Sequence, residues 1–398
     1  MTETTAPVRT EKHTALYDQH AALGASFTDF GGWQMPLKYG SELAEHKAVR
    51  EAAGLFDLSH MGEVWATGPD AASFLDYALV GKLSAIAVGK AKYSLICRED
   101  GGIIDDLIVY RVAEDDFLVV PNAGNAATVA AELESRRTAF EAAQDGAAES
   151  KPRLALRDAS EETSLVAVQG PNAEAILLGV VRSEDAEAVT GLKYYSGIEL
   201  EVQLEDGAIP VLLARTGYTG EDGFELFVAN GRAAELWAAL AAAGEGHGLI
   251  PCGLAARDSL RLEAGMPLYG NELSLARTPF EAGLGPVVAL KTKEGEFVGR
   301  SALAAAKEAG AGTTTGQRLV GLKGLGRRAA RAHYPVLKDG VQVGEVTSGQ
   351  PSPTLGYPVA LAYVDVEHSA VGTRLDADLR GKAEPFEVVE LPFYKRQK

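Results

Sequence analysis

Two blocks of short apolar runs, each followed by an Ala-rich stretch with helical spacing, set the tightest limit on how this chain folds. The first block is KYSLICREDGGIIDDLIVYRVAEDDFLVVPNAGN, from Lys92 to Asn125. It predicts three strands, with turns at Gly101-Gly102 and Glu114-Asp115-Asp116. A helix rich in Ala, Glu and Arg follows over about residues 125–141. The second block holds SLVAVQGP, IELEVQLE, AIPVLLART and FELFVAN between Ser164 and Asn230. The helix after it carries Leu236, Trp237 and Leu240 on one side. Strand, hairpin and amphipathic helix in that order predict an α+β layer with a mostly antiparallel sheet.

Between these landmarks, Gly68 to Leu79 predicts a short helix, capped by Asp70 and burying Ala71, Phe74, Leu75 and Ala78. The polar tract from Gln144 to Lys151 reads as a surface crossover. After about Lys291 the pattern changes to isolated strands punctuated by Gly and Pro: QRLVGL, VQVGEVTSG, GYPVALAYV and FEVVEL. They predict a small β-barrel or sandwich, entered through the helix GRSALAAAKEAG.

Charge narrows the function. With 38 basic and 55 acidic side chains the net charge is −17, a field that repels phosphate polymers and argues against nucleic acid. The first residues, MTETTAPVRTEKHTALYD, have no apolar core, and no run reaches about 18 apolar residues. The expectation is a soluble, cytoplasmic protein without a membrane role. Cys97 and Cys252 stand far apart, and the histidines form no HExxH pattern. Neither a disulfide framework nor a metal is expected.

Several motifs are candidates for chemistry. In GGIIDDLIVYR, strand alternation sends Asp105 and Asp106 to opposite faces, both apolar, so each carboxylate needs a partner or a pocket. Asp105 at a strand end is also a natural turn cap, and spacing does not choose between the two. Glu225, after the glycine loop RTGYTGEDG, suits either a heterocycle with amino groups or a salt bridge to a nearby arginine. Tyr218 in that loop offers a flat face with a hydroxyl. Arg257 and Arg261 share one face of the helix GLAARDSLRLEAGM and suit a carboxylate from elsewhere. Asp57, Ser59 and His60 lie too close in sequence to make a triad, so His60 reads as a hydrogen-bonded structural residue. Met61 and Trp33 suit either a core or the wall of an aromatic pocket. Arg318 to His333 holds five basic residues and no acid, which fits a solvated loop or a dock for an acidic partner.

Taken together, FGGWQMP, FDLSHMG, GGIIDDLIVYR, RTGYTGEDGFE, GLAARDSLRLEAGMPLYGNEL and RAHYPV…GEVTSGQPSPTLG strongly resemble the glycine cleavage T-protein (aminomethyltransferase) family, from about Thr14 to Tyr394. The resemblance implies three domains around a folate cavity. Two are discontinuous antiparallel-sheet α+β domains, residues 1–56 with 152–240 and residues 57–151 with 241–290. The third is a C-terminal antiparallel β-barrel over 291–398. It implies transfer of a methylene group from aminomethyl-lipoyl H protein to tetrahydrofolate as co-substrate, with release of ammonia. The lipoyl group belongs to that partner, and P and L proteins are functional associates. By resemblance Asp106 is the essential carboxylate, Glu225 binds the pterin and Arg257 contacts the cofactor. Met61, Tyr93, Asn122, Tyr218, Tyr269 and Arg331 match further pocket positions. The alternatives on the same fold are a non-catalytic folate binder and a folate-dependent iron–sulfur maintenance protein. EAGMPLYGNEL lacks the cysteine that the latter carries.

Overall fold

The computed structural model describes residues 11–143, 153–204, 207–309 and 315–396, so the tract from Gln144 to Lys151 lies outside the described residues. After a short helix, Tyr17–Ala22, comes a hairpin, β1 (Ser26–Phe30) and β2 (Trp33–Lys38). Its tip is Gly31-Gly32, both at positive φ, where a side chain would be strained. Eleven further strands form a single sheet. In chain order they are β3 (Ala53–Asp57), β4 (Val64–Thr67), β5 (Lys90–Cys97), β6 (Ile103–Arg111), β7 (Asp116–Pro121) and β8 (Ala155–Asp158). They continue with β9 (Thr163–Gln169), β10 (Ser196–Leu204), β11 (Gly207–Arg215), β12 (Gly223–Ala229) and β13 (Leu249–Pro251). Across the sheet the order is β13-β3-β9-β12-β11-β10-β5-β6-β7-β4-β8.

Each half of this sheet follows one of the two sequence blocks. The halves join where Ser196 pairs with Lys90: Ala91 N donates to the Tyr195 carbonyl at 2.9 Å, Gly197 N to the Gly89 carbonyl at 3.0 Å, and Lys90 Nζ to Ser196 Oγ at 2.7 Å. Among the described strands of this sheet, only β13 and β3 run parallel. Helices Ala173–Leu178 and Ala233–Gly244 cover one half through Ile176, Leu177, Leu236, Trp237 and Leu240. Helices Ala71–Ala78 and Ala126–Ala143 cover the other through Phe74, Leu75, Val129 and Leu133. Asp70 stands at the predicted cap position, yet its carboxylate does not cap. It is taken by Arg153 at 2.7 Å.

The last strands close into a six-stranded antiparallel barrel, not a sandwich. They are β14 (Gln317–Gly324), β15 (Pro335–Lys338), β16 (Val341–Pro351), β17 (Pro358–Asp365), β18 (Arg374–Asp378) and β19 (Ala383–Val389), in the order β14-β17-β16-β15-β18-β19. Closure removes the sheet edges that a small open sheet would expose. Val320, Leu322, Val346, Ala362, Phe386 and Val388 fill the interior. The fold is α+β with this barrel at its C-terminus.

One helix, Leu254–Glu263, ties the α+β part to the barrel. A Cβ at Gly253 would lie 2.2 Å from the Leu37 carbonyl, so only glycine lets β2 approach the helix start. There the buried Glu45 carboxylate accepts from Gly253 N at 2.9 Å, against the positive end of the helix. Glu263, at the other end, takes Arg50 at 2.8 Å and His46 at 3.3 Å, and also accepts from Ser352 of the barrel side. Gly265, at φ +66°, follows the helix end in the left-handed conformation that suits glycine there.

Candidate functional site

The two adjacent aspartates of β6 have different fates. Asp105 is fully buried and accepts from Asn122 N at 2.8 Å, Asn122 Nδ2 at 2.9 Å and Asn125 Nδ2 at 2.8 Å. It is therefore a cap after all, but for the turn that starts helix Ala126–Ala143, not for its own strand. Asp106 is only half-buried. Tyr93 OH donates to its Oδ2 at 3.0 Å and Asn122 Nδ2 to its Oδ1 at 2.8 Å. The pair thus splits into a carboxylate used up in holding the loop and one with acceptor capacity left over. Burial raises both above the usual carboxylate range, Asp106 to about 6, while its bonds from Tyr93 and Asn122 pull it back down.

Glu225 sits in β12, on the face it shares with Phe227, opposite Ala214 of β11. Its partners are hydroxyls and not the arginine that a salt bridge would need. Thr216 donates a short hydrogen bond to Oε2, and Tyr110 OH stands 3.5 Å away. Burial raises its pKa; Thr216, the field of Arg257 and Tyr110 work against that. Tyr110 lies four residues beyond Asp106 on the same face of β6, so one strand serves both carboxylates.

The arginine pair of helix Leu254–Glu263 also divides. Arg261 is fully buried and bonds Glu272 at 2.9 Å, Ser348 at 2.7 Å and Asp258 at 2.8 Å. It meets the carboxylate from elsewhere that the sequence led us to expect. Arg257 does not: among the described residues it makes no ion pair, and its guanidinium lies 4.7 Å from the centre of the Tyr218 ring. Tyr218 is pinned by a hydrogen bond to the Pro267 carbonyl.

A cavity of about 670 Å³ opens where the helix, the β1–β2 hairpin and the barrel meet. That is within the usual range for a small-molecule site. Tyr218, Arg257 and Arg331 line it, together with Phe30, Asn271 and Gln350. Asp106, Tyr93, Asn122, Tyr269, Met61 and Glu225 do not. Two of them are coupled electrostatically to residues that line it: Asp106 acts on Tyr218, and Arg257 on Glu225. Tyr269 OH donates to the Ile103 carbonyl at 3.3 Å, and Met61 packs on the core beside Tyr110 and Leu118. Arg331 donates to the Gly349 carbonyl at 3.2 Å.

His60 departs from its expectation. It is buried, packs edge-on against Phe30, and its Nδ1 has no partner among the described residues. Burial, with Arg257 adding to it, lowers its pKa to about 4, so it is neutral at physiological pH. Asp57 bonds instead to Thr14, His20 and the Ser59 amide, and no triad forms. Trp33 lies under the Lys12 ammonium at 5.3 Å, away from the site. Of the basic stretch, Arg327 and Arg328 are exposed, with Arg328 3.6 Å from Glu384, while Lys323 rests on Tyr357. Sequence reasoning missed Tyr195, which feels both Glu225 and Asp106 and adopts φ +59°, rare for a tyrosine. Its one signal was position, in the turn before β10. Among the described residues no group of three or more acidic, His or Cys side chains could hold a metal ion.

Residues 16–292 match the GCVT N-terminal domain family, and residues 317–395 match the glycine cleavage T-protein C-terminal barrel domain. The chain belongs to the glycine cleavage T-protein family. It is 55% identical over 388 residues to an aminomethyltransferase of Streptomyces coelicolor, covering 97% of this chain and 98% of that one. To the aminomethyltransferase of Corynebacterium jeikeium it is 52% identical, covering 97% and 99%. The glycine cleavage system aminomethyltransferase T of Bartonella henselae superposes with a TM-score of 0.82 at 36% identity, covering 97% and 99%. Membership supports an aminomethyltransferase class of activity and an association with folate.

Proposed function

We propose that this protein transfers a methylene group from the aminomethyl-lipoyl arm of an H protein to tetrahydrofolate, with release of ammonia and the dihydrolipoyl thiol. The observation that carries this reading is the placement of Asp106. It is a half-buried carboxylate with spare acceptor capacity, held by Tyr93 and Asn122, whose field reaches Tyr218, the ring that Arg257 stacks on in the cavity wall. A reduced pterin presents ring N–H groups to acceptors, and a folate carries a carboxylate tail. Glu225 and Arg257, which has no ion pair among the described residues, fit such a molecule chemically. Reduced folate supplies the two nitrogens that accept the carbon.

The protein's own groups do the rest. Asp106 takes or holds a proton at the reacting nitrogens and favours the positive charge that develops there as thiolate departs. Tyr93 and Asn122 fix its orientation, and the cavity brings the two substrates together. Two free, buried cysteines suit the cytoplasmic location that we include in the proposal, with P and L proteins as functional associates.

Equilibrium binding tests the folate half. Glu225→Gln is expected to weaken tetrahydrofolate binding by about 10- to 100-fold, the worth of a hydrogen bond to a charged group. Arg257→Ala should weaken it comparably and leave the urea midpoint in place, because Arg257 makes no ion pair among the described residues. Wild-type affinity in both variants would remove these residues from the ligand site. For the partner half, exposed charges are screened over about 8 Å at physiological salt. Reversing Arg327 and Arg328 to Glu should therefore weaken H-protein association, most at low salt. Unaltered association with its salt dependence intact would exclude that face as the dock.

A further inference from the structure

The sheet curls so that β4, β7 and β8 face β10, β11 and β12 across a second groove of about 660 Å³. Trp65, Leu118, Leu212 and Phe227 form its apolar walls, and Glu63 lines the same groove. Glu63 is fully buried. Its amide donates to Ser160 Oγ at 2.9 Å and its carbonyl accepts from Ala159 at 2.8 Å, so its backbone is satisfied. Neither carboxylate oxygen has a hydrogen-bond partner among the described residues. A buried carboxyl without a donor is costly, and a fold keeps one more readily where something arrives to pair with it.

The surroundings specify what would arrive. Glu162, Glu199 and Glu201 line the groove with one cation, Arg157, which is already paired with Glu162 at 2.9 Å. Glu201 stands 3.5 Å from Arg182, outside the groove lining. An anion is repelled. A hard metal ion wants several oxygens at one point, and the apolar walls offer none. A positive group on an apolar body satisfies both features: aromatic rings attract cations, and an N–H⁺ donor supplies what the carboxyl lacks.

We propose that this groove binds a small organic ammonium ion, its apolar body on Trp65 and Phe227 and its N–H groups donating to Glu63. Burial, with Asp158 adding to it, pushes Glu63 up to about 9 in the free protein. The incoming cation therefore displaces a proton. Asp158 of β8 acts on that carboxyl, and the charged groups that line the groove with it are Arg157 of β8, Glu162 after it, and Glu199 and Glu201 of β10.

The test is calorimetric titration of the full chain with 2-phenylethylammonium chloride, with 3-phenylpropanol as the neutral counterpart. It needs no turnover, so its outcome is independent of the one-carbon reading. Saturable binding to one site is expected, tighter at about pH 8 than at about pH 6 because a proton leaves. Glu63→Gln should weaken it by about tenfold or more, Trp65→Leu should weaken it too, and the alcohol should not compete. Absence of saturable binding, equal binding by Glu63→Gln, or competition by the alcohol would overturn the proposal.

Discussion

Asp106→Asn is expected to lower single-turnover methylene transfer by about 10²- to 10⁴-fold, the usual worth of a positioned acid or base. The substitution keeps the size of the side chain and its place between Tyr93 and Asn122, but it removes the charge. Tetrahydrofolate affinity should therefore stay near wild type, since Glu225 and Arg257 are untouched. The pH profile provides a second reading. The wild-type rate should rise as pH passes through about 6, where Asp106 ionises, and the Asn variant should lose that rise.

Stability gives the same group a sign. Its folded pKa is raised above the unfolded value, so the folded state holds its proton to higher pH. The associated stability is complete below the ordinary carboxylate range and is lost as pH climbs through about 6. Relative to wild type, the Asn variant should accordingly be more stable at neutral pH than at about pH 4. Near-normal single-turnover chemistry in Asp106→Asn would remove this carboxylate from the mechanism.

The second large effect is structural. Arg261→Ala should cost about 3–5 kcal/mol in urea unfolding, the usual penalty for leaving one member of a buried ion pair behind. Glu272 is fully buried and would keep only the Leu268 amide, at 2.8 Å, and Ser348, at 2.6 Å. Ser348 belongs to β16, so the loss includes one of the contacts that join the barrel to helix Leu254–Glu263. Lysine should not rescue it, because the guanidinium reaches Asp258, Met266, Glu272 and Ser348 at once with a forked geometry that an ammonium lacks. A loss below about 1 kcal/mol would mean the barrel is held by other contacts.

Much of this architecture is written in local patterns. The runs Lys92–Asn125 and Ser164–Asn230 became strands because apolar and turn residues alternate there with the spacing a sheet requires. Short elements were not legible. The barrel strands β15 and β18 carry Pro335, Lys338, Arg374 and Asp378 in four- and five-residue spans, too brief for periodicity to register. Nor does any local signal report that β13 would join β3 in parallel, a contact that spans almost two hundred residues.

The site shows the same division. Sequence placed Asp105 and Asp106 on opposite faces, and strand geometry agrees. Their difference in burial comes from Asn122 and Asn125 arriving from the next strand end, which spacing alone does not reveal. Arg257 and Arg261 look equivalent in a helix, yet only Arg261 has Glu272 waiting for it. Glu63 carries no local signal of its own, and only the packing around the start of β4 buries it.

The most direct test supplies the full chain with tetrahydrofolate and lipoylated H protein loaded with the aminomethyl group, and measures ammonia and methylenetetrahydrofolate together. We expect equal amounts of both, with the ammonia burst abolished when folate is omitted. Folate held by the protein with no ammonia released would contradict the account and leave a binding protein on the same fold.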